Sequence, residues 1–187
     1  MAGFPAQNQD FETDVRESFG RIALMSTLGA HLMRVSPGEV EIALPFRAEL
    51  TQHHGFMAAA VLTAIADVAC GYAAMSLMPA GASVLTVEYK VNFLAPAQGE
   101  RMVARARVVR PGRTVTACAG DVVAVIGGQE KLVATMLATL LQAGEERPAS
   151  STEGRAQAHH SAHERGTTRL LQKARRWCVC RGRGPAQ

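Results

Sequence analysis

Between Glu49 and Glu88 the chain carries one formally charged side chain, Asp67. It falls in the middle of the run Phe56-Met-Ala-Ala-Ala-Val-Leu-Thr-Ala-Ile-Ala-Asp67-Val-Ala-Cys-Gly-Tyr-Ala-Ala-Met75. A run this long and apolar predicts a helix over about 56–77, stopped by Pro79-Ala-Gly81. It is long enough to cross a bilayer. Alanine contributes little insertion energy, however, and a central aspartate costs about 2.5–3.5 kcal/mol there. A helix buried in a protein core is the better reading, and such a helix needs cover on most of its circumference.

The rest of the chain offers that cover. Residues 10–28 read as a first helix, with Phe11, Val15, Phe19 and Ile22 at helical spacing, acidic residues in its first turn, and Gly29 as its stop. His31–Val35 and Glu39–Leu44 read as a hairpin around Ser36-Pro-Gly38. Four strand candidates come after the long helix: 84–94, 101–109, 114–126 and 131–141. In the first, Val87, Tyr89, Val91 and Phe93 alternate with Glu88, Lys90 and Asn92. In the second, Met102, Ala104, Ala106 and Val108 alternate with Arg101, Val103, Arg105 and Arg107. The links Pro96–Gly99, Pro111–Arg113 and Gly127–Gln129 are short and suit a meander of antiparallel neighbours. One antiparallel sheet around one apolar helix buries both, an α+β arrangement.

Charge divides the chain in two. The net charge is +4, yet residues 143–187 hold eight arginines and one lysine. We therefore expect a folded domain over 1–142 and a basic, disordered tail over 143–187, with a short basic helix at Thr167–Trp177 as the one candidate element in it. A nucleic-acid groove would place its charge on the folded part, so neither nucleic acid nor membrane is the expected partner. Cys70 and Cys118 sit in apolar stretches and read as small buried hydrophobes, while Cys178 and Cys180 lie in the tail. With no disulfide framework and no secretory signal, the expected location is the cytoplasm. No metal is expected: His53-His54 are adjacent and should point apart, and His159, His160 and His163 fall in the tail.

A carboxylate in an apolar helix costs free energy unless it is paired, hydrogen-bonded or protonated. Asp67 is either a hydrogen-bonding group at a helix contact or a functional acid. The start of the long helix presents free N–H groups, which can polarise a carbonyl oxygen. Together the two features suit attack on an acyl group, with Asp67 as nucleophile or as general base for water.

The text Gln52-His-His-Gly-Phe-Met-Ala-Ala-Ala-Val-Leu-Thr-Ala-Ile-Ala-Asp67, with Leu85-Thr-Val-Glu-Tyr-Lys-Val-Asn-Phe-Leu-Ala-Pro-Ala97 and Val109-Arg-Pro-Gly-Arg113, resembles the PaaI-type hotdog-fold acyl-CoA thioesterases over roughly residues 15–141. The resemblance implies a hotdog fold and a homodimer or homotetramer with its site between subunits. It implies hydrolysis of acyl-CoA to acid and free CoA, with no cofactor, since coenzyme A belongs to the substrate. It also implies roles. Asp67 is the catalytic carboxylate. Gln52 orients the thioester or the water. Ala59 offers its backbone N–H to the thioester oxygen, where the family usually has glycine. Thr86 is supplied by the partner subunit, so that it meets Asp67 across the interface. One departure stands out: Ala58-Ala59-Ala60 replaces the family's His-Gly-Gly, and His54, one turn earlier, is the remaining imidazole. Arg110 and Arg113 flank a turn and either contact the phosphates of CoA or are solvated there. Asn92 is a further candidate ligand contact, whereas Tyr72 and Tyr89 read as packing. The departure keeps a non-hydrolysing acyl-CoA-binding hotdog protein open as an alternative. A hotdog hydratase or dehydratase is a second, although Asp67 has no evident histidine partner.

Overall fold

The computed structural model describes residues 3–144. The expectations placed on the basic tail beyond them, including the Thr167–Trp177 helix, lie outside the described residues. Two short helices, α1 (Phe11–Gly20) and α2 (Ala23–Leu28), precede the hairpin of β1 (His31–Ser36) and β2 (Glu39–Pro45). Helix α3 (Ala59–Met75) and strands β3 (Ser83–Phe93), β4 (Arg101–Arg110), β5 (Val115–Ile126) and β6 (Gln129–Ala143) complete the domain. The strands form one antiparallel sheet in the order β1-β2-β4-β5-β6-β3, and α3 packs against every strand from β2 to β6.

Small side chains set how closely the sheet approaches the helix. Ala66, Ala69, Cys70 and Ala73 of α3 are buried against a core that includes Ala104, Ala106, Cys118, Ala124, Ala134 and Ala138. At Gly120 the fit is closest, because a Cβ there would lie 2.9 Å from Cys70 Sγ. The larger core residues, among them Ile42, Leu44, Ile65, Met102, Met136 and Leu140, are fully buried. Each is worth about 1.5–3 kcal/mol of transfer free energy. Helix α1 closes one flank: the Tyr72 hydroxyl donates to Ser18 Oγ at 3.1 Å, and the Phe19 and Tyr72 rings lie tilted with centroids 6.0 Å apart.

Several expectations change. The 10–28 helix is two helices, because Arg21 and Ile22 close on Ser18 and Phe19 carbonyls three residues back and Ile22 is extended. The long helix begins at Ala59 rather than at 56, since Met57 pairs with Thr51 and donates its N–H to Ala97. The Pro96–Gly99 link does not join neighbours. Ala97, buried under the start of α3, anchors a crossover that carries the chain from β3 at one edge to β4 beside β2. Only β4, β5 and β6 form a meander.

Candidate active site

Strand β3 positions the site because it is an edge. It pairs with β6 alone, and Leu85, Val87, Tyr89 and Phe93 are exposed along it. Tyr89, expected to be packed, is 46% accessible on this unpaired border. A bulge interrupts the β3–β6 register between Thr86 and Glu88. Simple alternation would put Thr86 on the face of Glu88, Lys90 and Asn92. The extra residue reverses the parity, so Thr86, opposite the fully buried Leu140, faces the helix.

Thr86 Oγ1 accordingly donates a 2.8 Å hydrogen bond to Asp67 Oδ1 within one chain. This corrects the expectation that the two meet only across an interface: the bulge brings them together on neighbouring elements of the same subunit. Asp67 is half-buried. It stands at the lip of a cavity of about 180 Å³ whose other walls include Ile22, Val68, Gly71, Tyr72, Met75 and Val84.

A second, larger cavity of about 420 Å³ lies toward the other end of α3, lined by Gln52, Phe56, Ala59, Phe93 and Leu94 among others. The turn before α3 builds it. Gln52 N–H donates to Phe56, Gly55 N–H donates to Gln52, and Gly55 adopts φ 80°. The Gln52 side-chain oxygen accepts the His54 N–H, which leaves the amide NH₂ as the outward group. Ala58 is the N-cap of α3 and makes no side-chain cap. The N–H groups of Ala59 and Ala60, both exposed, therefore have no intrahelical acceptor.

The remaining candidates fall elsewhere. Asn92 pairs with Thr135 on the outer face of the sheet, away from Asp67, because it alternates with Val91 and Phe93, which pair with the buried Met136 and Ala134. Arg110 and Arg113 are exposed at the end of β4 and in the following turn. His53 and His54 do not point apart: their rings lie side by side, tilted by 46°, with centroids 3.9 Å apart. Among the described residues no cluster of His, Cys, Asp or Glu has the form of a metal site, and no helix is long and apolar enough to cross a membrane. The structure adds Ile22, Gly71 and Met75 to the site. Their spacing from Asp67 along α3, at four and eight residues, was legible for Gly71 and Met75. Nothing in the sequence ties Ile22 to them.

A curved antiparallel sheet around one apolar helix, with a helix carboxylate at an open edge, defines a hotdog protein of the acyl-thioester class. The comparisons agree. The thioesterase superfamily pattern matches residues 54–130. A protein of Halobacterium salinarum named as an esterase is 34% identical over 124 residues, covering 62% of this chain and 78% of its own. The crystal structure of a thioesterase family protein from Silicibacter pomeroyi is 49% identical, covers 72% of this chain and 98% of its own, and superposes with a TM-score of 0.71. The PaaI protein of E. coli, from the phenylacetic acid degradation operon, shares the fold at 19% identity and a TM-score of 0.67, covering 75% of this chain and 98% of its own. The chain belongs to the thioesterase superfamily and is a hotdog thioester hydrolase that shares the fold of PaaI.

Proposed function

We propose that the protein hydrolyses acyl-CoA thioesters at a site shared by two copies of the chain, with Asp67 as general base. The observation that carries this is a separation. Ala59 and Asp67 are eight residues apart on one helix, about 12 Å along its axis. A thioester carbonyl held at the Ala59 N–H of one chain is therefore out of reach of water activated by Asp67 of that same chain. The β3 edge supplies the second copy. Antiparallel pairing of two β3 strands about a two-fold axis near Tyr89 sets Thr86 of one chain beside the partner's Phe93. The small cavity at Asp67 then opens onto the larger cavity of the second copy, where the partner's Gln52 and Ala59 stand.

In this arrangement Thr86 holds Asp67 Oδ1, which leaves Oδ2 to take the proton of a water. The water oxygen bonds to the thioester carbon. The developing oxyanion is held by the partner's Ala59 N–H and the Gln52 amide NH₂. The carbon–sulfur bond then breaks, and the CoA thiolate takes up the proton that Asp67 removed. The backbone N–H at Ala59 serves as a glycine's would, so replacement of the family's His-Gly-Gly leaves this donor in place. Arg110 and Arg113, exposed at one end of the sheet, are the cations this reading assigns to the phosphates of CoA.

The test is Asp67→Asn assayed by thiol release from acyl-CoA. Loss of about 10²–10⁴-fold in kcat with an unchanged oligomer supports the reading. Unchanged turnover removes it, and tight acyl-CoA binding without thiol release by the native chain would select a binding protein instead.

A further inference from the structure

Strand β3 carries two formal charges, Glu88 and Lys90, one on either side of Tyr89. Both are exposed on the outer face of the sheet, opposite Thr139 and Leu137 of β6, which are uncharged. Among the described residues neither forms an ion pair. The ion pairs on this face of the sheet centre instead on Arg105, with Glu41 and Glu130. Charged side chains on an edge strand keep other strands from pairing with it. The same edge exposes Leu85, Val87, Tyr89 and Phe93, which favours a partner that covers them.

Which partner such an edge accepts follows from the spacing of its two charges. When two β3 strands pair antiparallel about a two-fold axis, residues equally far from the axis on either side stand opposite each other. An axis at Tyr89 sets Glu88 against the partner's Lys90 and Lys90 against the partner's Glu88. An axis at Glu88 sets that carboxylate against its own copy, and an axis at Lys90 does the same with the ammonium. Both are unfavourable. An axis between residues puts opposing side chains of the regular stretch 88–93 on different faces, which the pleat excludes.

We infer that Glu88 and Lys90 form a self-complementary charge code that makes a second copy of this chain the partner of the β3 edge and fixes the register of the seam. The inference rests on the shared site proposed above and goes further by naming the residues that align its two halves. Moving the axis by one residue slides one strand past the other by two, about 7 Å. That slip carries the partner's Ala59 and Gln52 away from Asp67, where an error of about 1 Å already costs ~10²-fold. Glu88 and Lys90 face away from Asp67, so they are positioning residues and touch no substrate.

The experiment compares the full native chain with Glu88→Lys, Lys90→Glu and the double swap Glu88→Lys/Lys90→Glu. Fluorescence-detected sedimentation gives the dimer Kd, and free thiol from acetyl-, hexanoyl- and benzoyl-CoA reads the site. Each single variant sets like charges opposite at both pairs. It should raise Kd by about 10–10²-fold at low salt and by less at high salt, with far-UV circular dichroism unchanged. The double swap should restore native Kd and kcat. In a mixed dimer of the two single variants both cross-strand pairs are again of opposite sign. Mixing should therefore restore thiol release and give more heterodimer than random exchange, read by native mass spectrometry on chains of different tag length. A Kd that neither single variant moves, or a double swap and a mixture that recover nothing, overturns the inference. Assembly that obeys the charges while the native chain releases no thiol defeats the hydrolytic reading and leaves the code standing. Thiol release from dimers whose assembly ignores both charges defeats the code alone.

Discussion

Thr86 and Asp67 are joined by a 2.8 Å hydrogen bond between a strand and the helix it covers, in a single chain. The bond fixes one carboxylate oxygen and so, in the proposed mechanism, decides which one faces the reacting water. Thr86→Val should remove that constraint and leave the fold. Since misplacing a catalytic group by about 1 Å can cost ~10²-fold, we expect kcat to fall by about 10–10²-fold while Thr86→Ser recovers most of it. Steady-state kinetics on the two variants check this, and a Thr86→Val enzyme with native kcat would leave the hydroxyl without a catalytic role.

Ala59 permits an unusually clean deletion of one backbone donor. It is the first residue of α3, where proline is tolerated because its missing N–H would have no helical partner. Ala58 before it already has φ −64°, ψ 139°, a conformation compatible with a following proline. Ala59→Pro should therefore keep the helix and lose only the oxyanion donor, at about 10²–10³-fold in kcat. Mixed dimers of Ala59→Pro and Asp67→Asn chains, each inactive alone, should regain activity because one of their two sites has both native halves. Failure of co-expressed, dual-tagged heterodimers to recover any turnover would mean that both groups act within one chain.

The exposed β3 edge makes a separate prediction about assembly. Tyr89 lies near the proposed two-fold axis and is half exposed in one chain. Tyr89→Glu would bring two carboxylates close together across it, a device that blocks edge pairing. Light scattering should show a shift to monomer, with thiol release lost and far-UV circular dichroism retained. A Tyr89→Glu variant that stays dimeric and active would exclude this edge as the seam.

How far the residues alone disclosed this molecule depends on which interaction sets each feature. The apolar run around Asp67, the hairpin at Ser36-Pro-Gly38 and the alternation of β4 were legible because local pattern and burial agree there. The bulge at Thr86–Glu88 was not. Alternation over 87–93 is regular and puts Asn92 with Glu88 and Lys90, but only pairing with β6 reveals the extra residue that reverses the face of Thr86. The same holds for the break at Arg21–Ile22, where hydrogen bonds tighten a pattern that stays helical in spacing. Edge position is likewise a property of strand order, so the β3–β4 link read as a turn between neighbours when it is a crossover.

The approach of sheet to helix at Gly120 can be tested by overpacking. A Cβ there would sit 2.9 Å from Cys70 Sγ, inside ordinary contact, and both residues are buried. Gly120→Ala should cost about 1–3 kcal/mol, or roughly 2–4 °C of Tm for each kcal/mol in a chain of this size. Cys70→Ala removes the atom that is struck. The Gly120→Ala penalty should therefore be smaller in a Cys70→Ala background, measured by a double-mutant cycle in urea. An equal penalty in both backgrounds would show that the strand, not the thiol, takes up the strain.

The buried thiols make stability depend on alkaline pH in a direction that can be worked out. Burial pushes Cys118 up from 9.0 to about 12. It pushes Cys70 up further, with the neighbouring Cys118 and then Asp67 adding to the effect. Folding therefore favours the neutral thiols. Their contribution is fully present below the unfolded value near 9 and is lost as pH rises toward the folded value, because the unfolded chain then binds fewer protons than the native one. For each thiol the slope approaches about 1.4 kcal/mol per pH unit in that window. Urea unfolding at pH 7, 9 and 10 should show the native chain losing stability faster above pH 9 than Cys118→Ala does. Native-state alkylation mapped by mass spectrometry should leave Cys70 and Cys118 unmodified from pH 7 to 9. Rapid labelling of either thiol in folded protein, or parallel pH curves for the native chain and the variant, would contradict their burial.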